Sequence, residues 1–244
     1  MSHNSTAIVT GAGRGIGRAV AERLGAQGCA VLVNYRSDAA AAAAVVAAIR
    51  AAGGEASAAP ADVAVPEQVG RLFDLARERY GDPRIVVHAA AVTHFAPLAR
   101  ATDADYDRVF DANARATFAT LRAAAGQVVD DGRIIVISSG AAVVPRANAG
   151  LYAASKAAGD QLVRVLATEL APRRITVNSV RPGPTRTEQV AASMSADRLA
   201  AVAADIPLGR LAEPADIADV VTFLSSDGGR WITGQTIHVG GGMF

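Results

Sequence analysis

The chain has 244 residues, 51% of them hydrophobic, which is enough to bury one sizeable core and excludes a disordered or fibrous polymer. Its 24 basic and 23 acidic side chains nearly cancel, so the molecule as a whole has no electrostatic reason to seek nucleic acid or an anionic membrane, and a small partner is expected. No apolar run approaches bilayer length, the start Met1-Ser2-His3-Asn4-Ser5-Thr6 shows no leader pattern, and the single Cys29 allows no disulfide within the chain; a soluble cytoplasmic protein is expected.

From one end to the other, short β-branched stretches alternate with longer alanine-rich segments of helical spacing. That alternation predicts βαβ units and one α/β, Rossmann-type, doubly wound parallel sheet of about seven strands, with helices on both faces. Strands are predicted at residues 7–10, 30–34, 56–60, 85–90, 133–138, 176–180 and 236–239. Asp38, Pro66, Asp103 and Pro214 read as helix-start signals. No linker or repeat divides the chain, so residues 1–244 are expected to form one domain. Residues 184–208 break the rhythm with a weakly amphipathic helix between turn signals, and are expected to cover the carboxyl ends of the strands as a lid.

The first predicted strand runs into Gly11-Ala12-Gly13-Arg14-Gly15-Ile16-Gly17, and a helix follows. Glycines at this spacing let the backbone turn sharply and approach a pyrophosphate, whose charge then faces a helix N-terminus. A dinucleotide site is predicted there. The second strand ends in Asn34-Tyr35-Arg36-Ser37, with no carboxylate for the adenine ribose; Asp38 reads as a helix cap. Arg14 and Arg36 are either solvated or placed to clamp a 2′-phosphate, and the expectation is NADP(H) over NAD(H). Asp62 and Val63, after the third strand, are expected at the adenine.

Among 24 basic residues only Lys156 is a lysine, and it stands four residues after Tyr152, one turn away on the same helix face. Ser139 follows the fifth strand. Phenol, ammonium and hydroxyl are the parts that ketone reduction needs: a proton donor, a group that lowers its pKa from about 10, and a donor that orients the carbonyl. Cys29 reads as a small buried side chain and His88 as a residue packed in the sheet. His94, in the next loop, is a candidate to face substrate.

With these motifs in order, the sequence resembles the short-chain dehydrogenase/reductase family over nearly its whole length, and is similar to 3-oxoacyl-(acyl-carrier-protein) reductases. The resemblance implies that Tyr152, Lys156 and Ser139 are catalytic, with Asn113 as a fourth residue that positions a proton-relaying water. It implies that Pro182, Gly183, Thr185 and Thr187 hold the nicotinamide, and that Ala89, Ala90 and Ala91 lie along the adenosine ribose. The family's usual Asn-Asn-Ala-Gly is here His88-Ala89-Ala90-Ala91, so the strand-bracing asparagine is missing. Gly240-Gly241-Gly242 replaces the more usual Asp-Gly-Gly.

For the substrate, Val143, Val144, Leu151 and Met194 suggest an apolar wall, with Arg146 and Arg186 at its rim. An acyl-thioester or cyclic ketone is expected. Docking of an acidic carrier protein is half supported, by Arg173 and Arg174 but not by Asp130 and Asp131. NAD-dependent alcohol oxidation and a non-catalytic dinucleotide-binding protein are the rival readings. No metal ligand set is read. The resemblance implies a homodimer or homotetramer through the helices that carry Asn113 and Tyr152.

Overall fold

One parallel sheet, in the strand order β3-β2-β1-β4-β5-β6-β7, runs through the computed structural model, which describes residues 5–244. The residues Met1 to Asn4, part of the start read above, lie outside the described residues. The strands are β1 (Thr6–Thr10), β2 (Ala30–Tyr35), β3 (Glu55–Pro60), β4 (Pro83–His88), β5 (Arg133–Ile137), β6 (Thr176–Pro182) and β7 (Thr236–Val239). The helices are α1 (Gly15–Ala26), α2 (Ala39–Ala51), α3 (Pro66–Tyr80), α4 (Asp103–Phe110), α5 (Ala116–Gln127), α6 (Gly150–Leu170), α7 (Glu188–Ser193), α8 (Ala196–Ala204) and α9 (Pro214–Ser225).

Helix starts follow local chemistry. Asp38 caps α2 by accepting from Ala41 N at 2.9 Å, and Pro66 and Pro214 open their helices. α4 begins at Asp103, as expected, behind a Thr102 cap in a reciprocal box with Asp105.

Three expectations shift. β4 lies two residues earlier than predicted, because the N–H groups of Ala89 and Ala90 turn to the Thr10 hydroxyl at 3.1 and 3.2 Å instead of continuing the ladder. β6 extends to Pro182, which pairs with Val239. The segment 184–208 holds two short helices, not one, since Ser195 starts α8 by accepting from Arg198 N.

Alternate residues of the buried strands feed two cores. Val9, Val31 and Val87 pack with Val20 and Leu24 of α1, Val45 of α2 and Val221 of α9 on one face. Ile8, Leu32 and Val86 pack with Phe73 of α3, Leu121 of α5 and Val163 of α6 on the other. Strand order reverses between β1 and β4, and the crevice at their carboxyl ends is where an open sheet of this kind takes a ligand. Among the described residues no helix is long and apolar enough to cross a membrane.

Candidate active site

β5 delivers its last backbone carbonyl, Ile137 O, to the amine of Lys156, which donates to it at 2.8 Å from a side chain that is almost wholly buried. Two residues on, the Ser139 hydroxyl accepts from Ala141 N at 3.2 Å and faces the Tyr152 phenol closely enough to act on its proton. Strand and helix thus bring Ser139, Tyr152 and Lys156 together at the carboxyl edge of the sheet. Burial pushes the phenol up and the Ser139 hydroxyl opposes it. Burial also brings the Lys156 ammonium down to about 8, and the Asp160 carboxylate one turn further along α6 partly restores it. The Phe95 ring meets Tyr152 edge to face at 6.0 Å, with the Arg146 guanidinium 5.5 Å from the Phe95 centroid. An aromatic in the loop after β4 is the signal that points to Phe95, which the sequence reading passes over.

Asn113 lies buried in a single wide turn, Asp111–Arg115, of the π type between α4 and α5. Its amide donates to Val92 O and Ser155 Oγ, both at 2.9 Å, and its carbonyl oxygen accepts from Val92 N at 2.8 Å. Both amide protons are spent on pinning the loop after β4 to α6, and the Asn113 backbone carbonyl accepts from the Thr117 hydroxyl at 2.7 Å.

His88 does pack in the sheet. The Thr10 hydroxyl, which accepts from Ala89 and Ala90, is left to donate to His88 Nδ1 at 3.1 Å, and this pair braces the two strands in place of the missing asparagine. Desolvation, reinforced by Lys156, holds the imidazole down at about 3, so it stays neutral.

The glycine turn is as tight as its sequence suggests. A methyl on Gly17 would overlap the Gly11 carbonyl, and one on Gly11, where φ is +61°, would lie 2.7 Å from Ala90 Cα. The backbone therefore comes directly against Ala90 and opens onto the head of α1, a cradle of the kind a pyrophosphate fits. One donor there, Gly15 N, is engaged at 3.0 Å by the carboxylate of Glu188, the first residue of α7. Ile16 lies in the first turn of α1 behind that donor.

At the adenosine end, Arg14 and Ser37 are exposed and Arg36 reaches to 4.0 Å from Asp62. Asp62 also accepts from Ala64 N, beside the buried Val63 and the partly buried Tyr35. The Asn34 amide donates to Tyr35 O, Ala59 O and Ala61 O, and its oxygen accepts from Gly11 N. The side chain is consumed in tying β2 and β3 to the glycine turn.

At the opposite end, Pro182 closes β6 and Gly183 N donates to Val239 O at 2.9 Å. The Thr185 hydroxyl donates to Gly183 O, and Thr187 caps α7 with its methyl against Gly15. Ala91 is exposed, while Val144, Leu151 and Met194 are half-buried. The His94 ring is engaged by α4, with Nδ1 accepting from Arg108 Nη2 at 2.8 Å and lying 3.7 Å from the Asp105 carboxylate. Arg186 pairs with Glu213 at 3.2 Å. Arg173 pairs with Asp130 and Arg174 with Asp131, both at 2.8 Å, so the two arginines are neutralised by the two aspartates that were read against them.

A family model described as enoyl-(acyl carrier protein) reductase matches residues 11–244. An uncharacterized oxidoreductase of Methylorubrum extorquens is 42% identical over 239 residues, covering 97% of this chain and 96% of its own. Versicolorin reductase of Emericella nidulans is 39% identical over 252 residues, covering 98% and 95%. The solved structure of the angucycline C-6 ketoreductase LanV with bound NADP is similar with a TM-score of 0.92 at 40% identity, covering 98% of this chain and 95% of that one.

Proposed function

The chain belongs to the short-chain dehydrogenase/reductase family and is an NAD(P)-dependent oxidoreductase, and from that premise we propose that it reduces the carbonyl of a cyclic or polycyclic ketone with NADPH. The observation that carries this reading is the buried Lys156 amine, donating to Ile137 O one helical turn from Tyr152, with the Ser139 hydroxyl just after β5 facing the phenol. Two hydroxyls side by side suit one carbonyl oxygen, which asks for a proton and a second hydrogen bond, better than a carbon–carbon double bond. A cyclic ketone is favoured over a carrier-bound acyl chain because Arg173 and Arg174 are neutralised, and because versicolorin reductase and the angucycline ketoreductase are named for polycyclic substrates.

When bound, the nicotinamide supplies the hydride. Tyr152 gives its phenolic proton to the substrate oxygen, and Ser139 hydrogen-bonds the same oxygen as charge develops on it. Lys156 holds the nicotinamide ribose and, as an ammonium, favours the phenolate that Tyr152 becomes. Asn113 keeps the loop after β4 against α6 and positions a relaying water. Gly11, Gly13, Gly15 and Gly17 cradle the pyrophosphate, Pro182, Gly183, Thr185 and Thr187 hold the nicotinamide end, and Arg14 and Arg36 take a 2′-phosphate. Residues 184–208 cover the site, with Met194 beside Val144 and Leu151 as the apolar wall. Exposed Phe118 on α5 and Val165 on α6 support assembly of copies through these helices.

Tyr152→Phe removes the proton and leaves the cofactor cradle intact. Turnover of a bicyclic ketone, followed by nicotinamide absorbance, is expected to fall by about 10²–10⁴ while NADPH affinity stays within about twofold. A variant that turns over normally is incompatible with the assignment.

A further inference from the structure

β7 and the residues after it carry a connected set of side chains that the proposed chemistry leaves unused. Asp160 lies one turn beyond Lys156 on α6, almost fully buried, and its Oδ2 accepts from Arg181 Nη2 on β6 at 2.5 Å. Through Nη1 the same guanidinium donates to His238 Nε2 on β7 at 2.8 Å. A guanidinium only donates, so this contact makes Nε2 an acceptor and leaves the imidazole proton on Nδ1. The imidazole meets the Phe244 ring edge to face at 5.2 Å. That ring occupies the space beside Gly140, where an added methyl would collide with it, and Gly140 follows Ser139 directly. The set therefore runs from one side chain of the proposed catalytic trio, Lys156, to the turn that carries another, Ser139.

Filling space does not account for it. Asp160 Oδ1 and Arg181 Nε are buried without a hydrogen-bond partner, and a buried ion pair gains little over well-packed apolar side chains. What a paired, hydrogen-bonded cluster adds is a single geometry. We propose that Asp160, Arg181, His238 and Phe244 are positioning residues that fix Lys156 and Ser139 relative to each other, Phe244 seating the Ser139–Gly140 turn and Asp160 holding a counter-charge beside the lysine. The inference rests on reading Ser139, Tyr152 and Lys156 as the catalytic set.

The groups that bear on the Lys156 proton are Tyr152 and Asp160 from α6, His88 from β4 and, through Asp160, Arg181 from β6. Of these Asp160 is the one that favours the ammonium. Its neutralisation loosens the protons on both Lys156 and Tyr152, so the alkaline limb of ketone reduction moves to lower pH.

Steady-state reduction of a bicyclic ketone, with each variant first shown to be folded by circular dichroism, tests the proposal. Phe244→Ala is expected to lower kcat about tenfold with NADPH affinity unchanged, and Phe244→Leu to recover most of it. Gly140→Ala is expected to cost activity when Phe244 is present and little in the Phe244→Ala background, where its methyl enters vacated space. Asp160→Asn is expected to move the alkaline limb of kcat down by about half a pH unit or more. Wild-type kcat in Phe244→Ala, equal losses from Gly140→Ala in both backgrounds, or an unmoved limb in a folded Asp160→Asn overturns the inference. If Asp160→Asn does not fold, the Phe244 and Gly140 arms decide alone. Tyr152→Phe assayed alongside separates the two levels: if it keeps turnover, the catalytic reading itself fails, whereas an inactive Tyr152→Phe beside an unaffected Phe244→Ala sinks only the positioning role.

Discussion

Lys156 donates to the Ile137 carbonyl from a pocket that excludes water, and burial brings its ammonium down to about 8. The sign is that of a buried cation: the charge is present below that value and is lost as pH rises through it. kcat/KM for NADPH reports ionisations of the free enzyme, so it is expected to fall above about pH 8; a flat profile to pH 10 would exclude the lysine from the site. Although the chain uses arginine at its other 23 basic positions, Lys156→Arg is expected to be inactive, because a planar fork cannot occupy the place of a compact ammonium. At the adenosine end the cationic side chains are in the open: Arg36 is exposed and Asp38, the nearest downstream carboxylate, is taken up by the cap of α2. Arg36→Glu is expected to shift the NADPH/NADH ratio of kcat/KM towards NADH by about tenfold, the effect of losing one charge-assisted hydrogen bond, and an unchanged ratio would show that the residue is only solvated.

Between strand and helix, the glycine turn is the element whose geometry admits least change. A methyl at Gly17 meets the fixed carbonyl of Gly11, whereas one at Gly13 would lie an ordinary 3.6 Å from Ala42 N. Gly17→Ala is thus expected to lower the melting temperature by roughly 5 °C and Gly13→Ala to leave it nearly unchanged, as measured by thermal unfolding. This turn, the seven strands and the Tyr152–Lys156 spacing were legible in the sequence because each is a local pattern: glycine spacing, β-branched runs, one helical turn. What was not legible depends on residues far apart in the chain. β4 ends early because Thr10 captures the next two amides, Asn34 is spent on carbonyls of β3 and its surroundings, and the asparagine missing before Ala89 is replaced by a histidine that only Thr10 makes useful. Glu188 is an acid in the first turn of α7, and nothing local tells that it reaches Gly15, 173 positions earlier.

Over the whole molecule, the two apolar layers leave the carboxyl edge of the sheet as the face on which β1, β4, β5 and β6 present their loops, the face to which the proposed cofactor and substrate residues belong. Elsewhere opposite charges are matched at short range, as at Asp130 with Arg173 and Asp131 with Arg174, in keeping with a chain whose formal net charge is +1. The hydrogen bond between Gly15 N and the Glu188 carboxylate ties the glycine turn to α7, in the segment proposed to cover the site. An incoming diphosphate that takes this amide must evict the carboxylate, so arrival of the coenzyme and rearrangement of the cover become one event. The kinetic signature is a compulsory sequence, coenzyme on first and off last. NADP⁺ is then expected to compete with NADPH but not with the ketone, and product-inhibition patterns with no fixed order would show the two movements to be independent.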